Sequence, residues 1–489
     1  MLRPYIGLLI SLVTAVPLAA QVPADAATDQ PARPPNVIIL FPDQLRWASL
    51  GCYGDPVIRS PNMDRLAAEG VRFTHAFSNH PVCSPARSIL LSGRYSSSNG
   101  VFSNQNNEAQ PGRPTNKTST LAETLGAAGY LTALVGKWHL APTPQTLGFQ
   151  YSVRPKMRHR YYRQTYFKNE GEPYVVEEYS PHHETEAAID FIREKRDRPF
   201  FLYLSYGPPH MPVWEMPERY RQMYDPAKVP MRKNAWVGDK LAFDENWFKI
   251  YMWDFQYYEH KDTFKEPLPE GMDLRDLTAL YYGQITAVDD CIGRVMAALK
   301  EAGLEEDTIV VLTSDHGDLL GSHGLFNKNR HYDEAARIPM IVRYPRRLKP
   351  AVIDQQVVSL VDVMPTVLEL CGVRLSRFSR SPIPSWVQGT SVAPVLLGEK
   401  QTVGDNAAFI ETGGSAEGVR TLRYCYYVER NPRQAAAGKP GREHLFDVEQ
   451  DPFELKDLAG NPAHADILRD LRERTNAWRE RTPKATVGQ

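Results

Sequence analysis

Five nearly unbroken runs of apolar, β-branched and aromatic residues constrain the fold of this chain more than any other feature. Residues 36–41 stop at Pro42-Asp43, residues 131–135 at Gly136-Lys137, residues 200–206 at Gly207-Pro208-Pro209-His210, and residues 308–313 at Ser314-Asp315-His316; residues 339–344 are the fifth. Runs without an exposed polar face suit strands covered on both sides, as in a parallel sheet. Helical patterns fill the gaps. Thr120 and Glu123 form a capping box ahead of Leu125 and Ala128, and helical periods run over residues 184–196, 277–299 and 361–370. This alternation predicts an α/β sandwich, with a mostly parallel sheet between layers of helices.

The texture changes after Gly372. Pro382, Pro384 and Gly389 lead into short alternating pieces near residues 407–410 and 421–427, then residues 444–447 and a charged helix at about 463–480. Residues 36–372 are therefore expected to form the main domain and residues 373–489 a smaller α+β domain. Two long segments read as irregular, residues 99–117 and 211–273. The second holds Trp214, Trp236, Trp247, Phe248 and Trp253, either as an insertion with its own small core or as an aromatic rim.

At the start, Arg3, an apolar run over residues 6–16 and Leu18-Ala19-Ala20 read as an export signal over residues 1–20, followed by a spacer over residues 21–35. The protein is therefore expected to be exported, to the periplasm or outside the cell, without stable membrane insertion. Lys and Arg total 57 against 58 Asp and Glu, which leaves no global basic field to attract nucleic acid. The five cysteines show no CxxC pair, and one candidate disulfide joins Cys371 and Cys425. Asn116-Lys117-Thr118 is a sequon.

Open α/β sheets bind ligands at the C-terminal ends of their strands. Here Asp43, Lys137, His210, Asp315 and His316 all stand at such ends. Cys83, in Cys83-Ser84-Pro85-Ala86-Arg87, precedes a helical pattern with Pro85 near its start, where free amides and the helix dipole favour an anion. Arg87 lies one turn on and can reach back toward residue 83. Alternation along Lys137-Trp138-His139 points the lysine and the histidine the same way. Asn36, Asp289, Asp290 and Asp318 read as strand-entry, helix-face and loop-bonding residues.

Cys83-x-Pro-x-Arg87 followed by Leu91-Ser92-Gly93-Arg94 resembles the modification signature of the type I, formylglycine-dependent sulfatases. The likeness extends to Gly136-Lys137-Trp138-His139, to Pro209-His210-Met211-Pro212, and to the element from Leu445 to Glu454. It implies an alkaline phosphatase-like fold: a large mixed, mostly parallel sheet sandwiched by helices, with a smaller C-terminal α+β domain. It further implies that a maturation enzyme oxidises Cys83 to formylglycine, whose hydrate attacks sulfur. Arg87, Lys137, His139, His210 and Lys328 take catalytic roles by the same likeness. Asp43, Gln44, Asp315 and His316 would hold one divalent metal, calcium by family resemblance. Gln44 departs from the family's usual second aspartate, and the imidazole keeps manganese, magnesium and zinc in play. His323 and Arg330 are weaker candidates for substrate binding. The expected substrate is a sulfated carbohydrate or an aryl sulfate. A phosphonate or phosphate ester hydrolase and a noncatalytic sulfated-glycan-binding protein are the alternatives.

Overall fold

The computed structural model describes residues 34–104, 119–156, 159–194, 197–253, 266–373, 383–413, 415–430 and 440–485. The expected export signal, most of the spacer, the sequon at Asn116 and much of the irregular segment at 99–117 lie outside the described residues. So do residues 254–265 of the aromatic-rich segment and residues 374–382 after the expected domain boundary.

Strands β1 (Asn36–Leu40), β2 (Val71–Phe77), β3 (Leu131–Gly136), β4 (Tyr151–Pro155), β5 (Gln164–Lys168), β6 (Tyr174–Val176) and β7 (Phe200–Ser205) precede a two-stranded hairpin of β8 (Trp236–Val237) and β9 (Lys240–Leu241). Then come β10 (Thr308–Thr313), β11 (Met340–Arg343) and β12 (Ala351–Ser359). All but the hairpin join one ten-stranded sheet in the order β12-β2-β11-β10-β1-β7-β3-β4-β5-β6. The sheet is mixed: β10, β1, β7, β3 and β4 run parallel, while β11 is antiparallel to both neighbours. Four apolar runs thus end at one edge of the sheet, which is what a strand-end site requires.

Period-2 alternation builds a core on each side. Ile38, Leu40, Leu202, Leu204, Val310 and Leu312 face a cluster that includes Leu277, Ile285, Val288, Ile292 and Val295 of helix Leu274–Glu301. Val37, Ile39, Phe201, Tyr203, Ile309 and Val311 face the other way, toward Ile89 and Leu90 of helix Cys83–Ser92 and Val367 of helix Val363–Leu370. Helix Leu274–Glu301 begins three residues before the sequence pattern because Asp273 and Asp276 form a capping box ahead of the apolar period. A second sheet, β13 (Ala408–Thr412), β14 (Ala416–Arg420), β15 (Tyr424–Glu429) and β16 (Arg442–Asp447), is wholly antiparallel and is followed by helix Ala465–Arg481.

Two expectations need correction. The aromatic-rich segment is not irregular where described: it forms helices Glu218–Arg221 and Glu245–Trp253 as well as the β8–β9 hairpin. Its Tyr220, Phe248 and Tyr251 join the main core rather than a separate one, because helix Leu274–Glu301 offers them the same apolar face. The candidate disulfide is absent: Cys371 and Cys425 are free thiols in different core clusters. Burial pushes the Cys371 thiol up to about 12. Among the described residues no helix is long and apolar enough to cross a membrane.

Candidate active site

Gly136 ends β3 with φ +93, and a Cβ there would stand 2.1 Å from Ser205 O. Only glycine lets β3 and β7 stay this close while the chain turns up into Lys137. Beyond β1 and β7 the pairing continues as a bridge between Asp43 and Pro209, with Asp43 N–H donating to Tyr206 O at 3.0 Å. Asp43 and His210 therefore emerge side by side. Cys83 is the first residue of helix Cys83–Ser92, which is buried along its whole length.

Around Cys83 Sγ stand Lys328 Nζ at 3.1 Å, His316 Nε2 at 3.4 Å and Asp43 Oδ1 at 3.7 Å. Arg87 Nη2 bridges Asp43 Oδ2 at 2.7 Å and Asp315 Oδ2 at 3.2 Å. Its Nη1 donates to Lys137 O and Ser205 Oγ, so one guanidinium ties the ends of β1, β3, β7 and β10 together. Lys137 Nζ reaches Asp43 Oδ2 at 2.9 Å. Apart from the half-buried Lys328, these groups are nearly or fully out of water, where such charge-assisted bonds are strongest and hardest to break singly.

Burial alone would push the Asp43 carboxyl up, but Lys137, His210, Arg87 and Lys328 hold it well below the usual carboxylate range. Asp315 is pushed up to about 7 by burial and by the neighbouring Asp43 charge. Burial and Asp43 oppose ionisation of Cys83, yet Lys328, Lys137 and His316 bring the thiol down to about 6. The pocket thus favours negative charge on residue 83. Burial, then Lys137, holds His139 and His210 well below the ordinary imidazole value, so both rings are neutral.

The donor set fits a divalent cation. Ligand atoms of Asp43, Asp315 and His316, with Cys83 Sγ, lie within 4.8 Å of one another. His316 Nδ1 donates to Gly317 O at 2.8 Å, which leaves the Nε2 lone pair facing the cluster. Gln44 is fixed the same way: its Nε2 donates to the Asp318 carboxylate, so Oε1 turns inward, where it accepts from Lys328 Nζ at 2.8 Å. Carboxylate, amide and imidazole donors suit calcium or a first-row divalent ion.

Residues 35–373 match the sulfatase family model. The chain belongs to the sulfatase family. A second model, described as N-sulphoglucosamine sulphohydrolase, C-terminal, matches residues 321–481 of this sulfatase. An ulvan-active sulfatase of Formosa agariphila is 28% identical, with 92% of this chain and 81% of that one covered. An endo-4-O-sulfatase of Bacteroides thetaiotaomicron is also 28% identical, covering 87% and 88%. A protein solved in complex with its substrate D-glucosamine-2-N,6-O-disulfate superposes with a TM-score of 0.76 at 25% identity, covering 92% of this chain and 98% of that one.

In this sulfatase the structure brings together Asp43, Gln44, Cys83, Arg87, Lys137, His139, His210, Asp315, His316 and Lys328. The His139 carbonyl accepts from Ser84 Oγ at 2.5 Å, and its buried ring senses the Lys137, Arg87, Asp43 and Lys328 charges. His323 is elsewhere: its ring stacks on Tyr332 and its Nε2 meets Asn234 at 3.1 Å, with Glu334 at 3.9 Å. Arg330 is exposed on the wall of a cavity beside Lys328. Sequence reasoning missed two residues. Asp318, read there as loop bonding, orients Gln44 from 274 positions away and also accepts from Tyr251 OH. His159, between β4 and β5, stacks on His210 at 4.2 Å between ring centroids and lies 6.0 Å from His139. No motif marks it; a single histidine among the basic residues of 156–160 offers no distinguishing spacing.

Proposed function

We propose that the protein hydrolyses a sulfate ester of a carbohydrate, using formylglycine made from Cys83 by a maturation enzyme and one divalent metal, calcium by preference. The observation that carries this reading is the surrounding of Cys83 Sγ: Lys328 Nζ at 3.1 Å, His316 Nε2 at 3.4 Å and Asp43 Oδ1 at 3.7 Å, at the N-terminus of a buried helix. Hydrated formylglycine supplies a nucleophilic hydroxyl whose geminal partner allows release of sulfate. A bound metal held by Asp43, Gln44, Asp315 and His316 supplies Lewis-acid stabilisation of charge on sulfate oxygen.

The remaining chemistry belongs to the side chains. Lys137 and Lys328 balance charge on the sulfuryl oxygens, and Arg87 holds the two aspartates in place. His139, neutral in its buried setting, can take a proton at residue 83. His210 donates Nδ1–H to Met211 O at 2.8 Å, which leaves Nε2 available to serve the leaving group. Its proton arrives once the sulfate anion of the substrate offsets Lys137 and Lys328. The carbohydrate assignment draws on relatives named for ulvan and for 4-O-sulfate release. Export to the periplasm or beyond accords with the N-terminal signal and with polymeric substrates.

The test uses protein co-expressed with a formylglycine-generating enzyme and a panel of sugars each sulfated at one position. Free sulfate is measured beside 4-nitrophenyl sulfate and the matching phosphate and phosphonate esters. Release from at least one sugar sulfate, with kcat/KM above those of the phosphorus esters, is expected. Faster phosphonate turnover would overturn the assignment. Tight binding of sugar sulfates without turnover of any ester would make the protein a glycan binder.

A further inference from the structure

A cavity of about 390 Å³ opens beside the nucleophile, lined by residues 324–330 together with Val82, Asp244, Trp247 and Leu319. The volume is of the size that small-molecule sites use, ~300–1,000 Å³. Lys328 belongs to both places: it lines the cavity and puts Nζ 3.1 Å from Cys83 Sγ.

The strip around Lys328 is shaped in an unusual way. Asn327 and Asn329 both take left-handed backbone, φ 69 and φ 66, with the lysine between them. Asparagine tolerates that conformation, and the backbone is pinned on both sides. Asn327 N–H donates to Tyr251 OH at 2.9 Å, and Asn329 N–H donates to Pro81 O at 3.0 Å. The two amide side chains are not used in this bracing. Asn327 Oδ1 and Asn329 Oδ1 are buried with no hydrogen-bond partner in the structure, and both residues line the cavity. Buried amide oxygens without partners are costly, so each amide gains by turning its oxygen into the cavity toward a ligand hydroxyl.

The rest of the lining fits the same ligand. Trp247 is half-buried on helix Glu245–Trp253 and presents an indole to the cavity. Asp244 caps that helix through the N–H groups of Asn246 at 3.0 Å and Trp247 at 3.1 Å. At the rim, Arg330 is exposed, with Nη1 held by Asn329 O at 3.0 Å, and no carboxylate among the described residues pairs with it. An aromatic face, two amide acceptors and a free guanidinium together recognise a ring with hydroxyls and a neighbouring anion.

We propose that this cavity is a sugar subsite and that Arg330 reads a second anionic group, a carboxylate or another sulfate, on the substrate. Asn327 and Asn329 accept hydroxyls of the ring stacked on Trp247, which places the scissile sulfate against Lys328 and residue 83. This rests on the sulfatase reading and narrows it: the substrate is a polyanionic oligosaccharide rather than a singly charged sugar sulfate.

Three disaccharides test it, alike in the sulfated ring and differing in the neighbour: a neutral hexose, a uronic acid, or a sulfated hexose. Each is compared with 4-nitrophenyl sulfate as a ratio of kcat/KM, for the mature enzyme and for Arg330→Ala, Asn327→Gly and Asn329→Gly; glycine keeps the left-handed backbone. Arg330→Ala should lower the ratio for the anionic pair ~10–100-fold, mainly through KM, with the neutral disaccharide moving much less. Arg330→Lys should recover part of the loss. The glycine variants should lower the ratio for all three sugars ~10-fold. Calorimetric affinities on the Cys83→Ala protein should follow the same order without turnover. If the ratios and affinities stay at wild-type values in all three variants, the subsite is wrong while the sulfatase reading stands. If the mature wild-type enzyme releases sulfate from neither the sugars nor 4-nitrophenyl sulfate, the sulfatase reading itself fails. A preference between uronate and second sulfate identifies the anion.

Discussion

Replacing Asp318 with Asn should weaken divalent-metal binding although Asp318 is not itself a proposed ligand. The carboxylate accepts from Gln44 Nε2, from Tyr251 OH at 2.7 Å and from Leu320 N–H at 2.8 Å. The oxygen that receives the backbone N–H must remain an oxygen, so the new amide turns its NH2 toward Gln44. Two donors then face each other. Gln44 relieves this by rotating its amide, which carries Nε2 to the place where Oε1 now accepts from Lys328 Nζ at 2.8 Å. The site exchanges an acceptor for a donor beside an ammonium. Loss of one charge-assisted hydrogen bond amounts to ~1.5–3 kcal/mol, and at ~1.4 kcal/mol per tenfold this is ~10–100-fold in affinity. Changes of that size are usual for groups that orient metal ligands. Protein dialysed against chelator is titrated with calcium by calorimetry and by thermal shift, with circular dichroism to check the fold. The double variant Gln44→Glu/Asp318→Asn reverses donor and acceptor between the two residues and should restore binding. Wild-type affinity in folded Asp318→Asn, or no rescue in the double variant, would refute the orienting role.

Three further outcomes are expected. Gly136→Ala would drive a Cβ to within 2.1 Å of Ser205 O at φ +93; it should cost at least ~2 kcal/mol in urea denaturation, and an unchanged midpoint would contradict the close β3–β7 approach. Burial pushes the Glu184 carboxyl up to about 8, against a hydrogen bond from Tyr166. A raised folded pKa gives stability that is complete below the unfolded value of ~4.3 and is lost as pH rises through about 8. Glu184→Gln should therefore gain on wild type by ~2–5 kcal/mol between pH 5 and pH 9, since each tenfold change in proton affinity is worth ~1.4 kcal/mol; parallel stability curves would refute it. Peptides spanning residue 83 from active protein should weigh ~18 Da less than the cysteine form, the change from thiol to aldehyde; an unmodified thiol at full activity would end the formylglycine proposal.

What the sequence disclosed follows physical lines. β1, β3, β7 and β10 were legible because a strand covered on both faces must be apolar throughout, and such runs have no other explanation. β2 and β12 were missed because neither carries an unbroken run: Val71–Phe77 mixes Arg72, Thr74 and His75 into its apolar positions, and Ala351–Ser359 is exposed over its first half. The short outer strands β4 to β6 lack such runs as well. The residues that the structure gathers around Cys83 were readable because strand ends and a helix start present them from short motifs. Asp318 and His159 act through partners distant in sequence, so no local pattern shows them. The asparagines flanking Lys328 were visible as residues, but their role depends on left-handed backbone and a cavity that only the folded chain creates.

The placement of charge explains why so buried a centre can form before any ligand arrives. Arg87 touches both aspartates and the ends of two further strands, so removing it would leave Asp315 with backbone N–H donors and Asp43 with Lys137 but take away the guanidinium that joins the two carboxyls in the dry interior. Burial and the Asp43 charge push Asp315 up to about 7, so the two carboxyls together present less than two full negative charges to the cations around them. Lys328, Lys137 and His316 together bring the residue-83 thiol down to about 6 against burial and Asp43. An anion at that position is what an oxyanion attacking sulfur, or the sulfuryl oxygens beside it, would present. The scaffold's own ion pairs thus leave the residue-83 pocket short of negative charge, and the reaction supplies it. A preorganised excess of this kind needs no reorganisation when charge develops, which is the condition under which buried electrostatics accelerates a reaction.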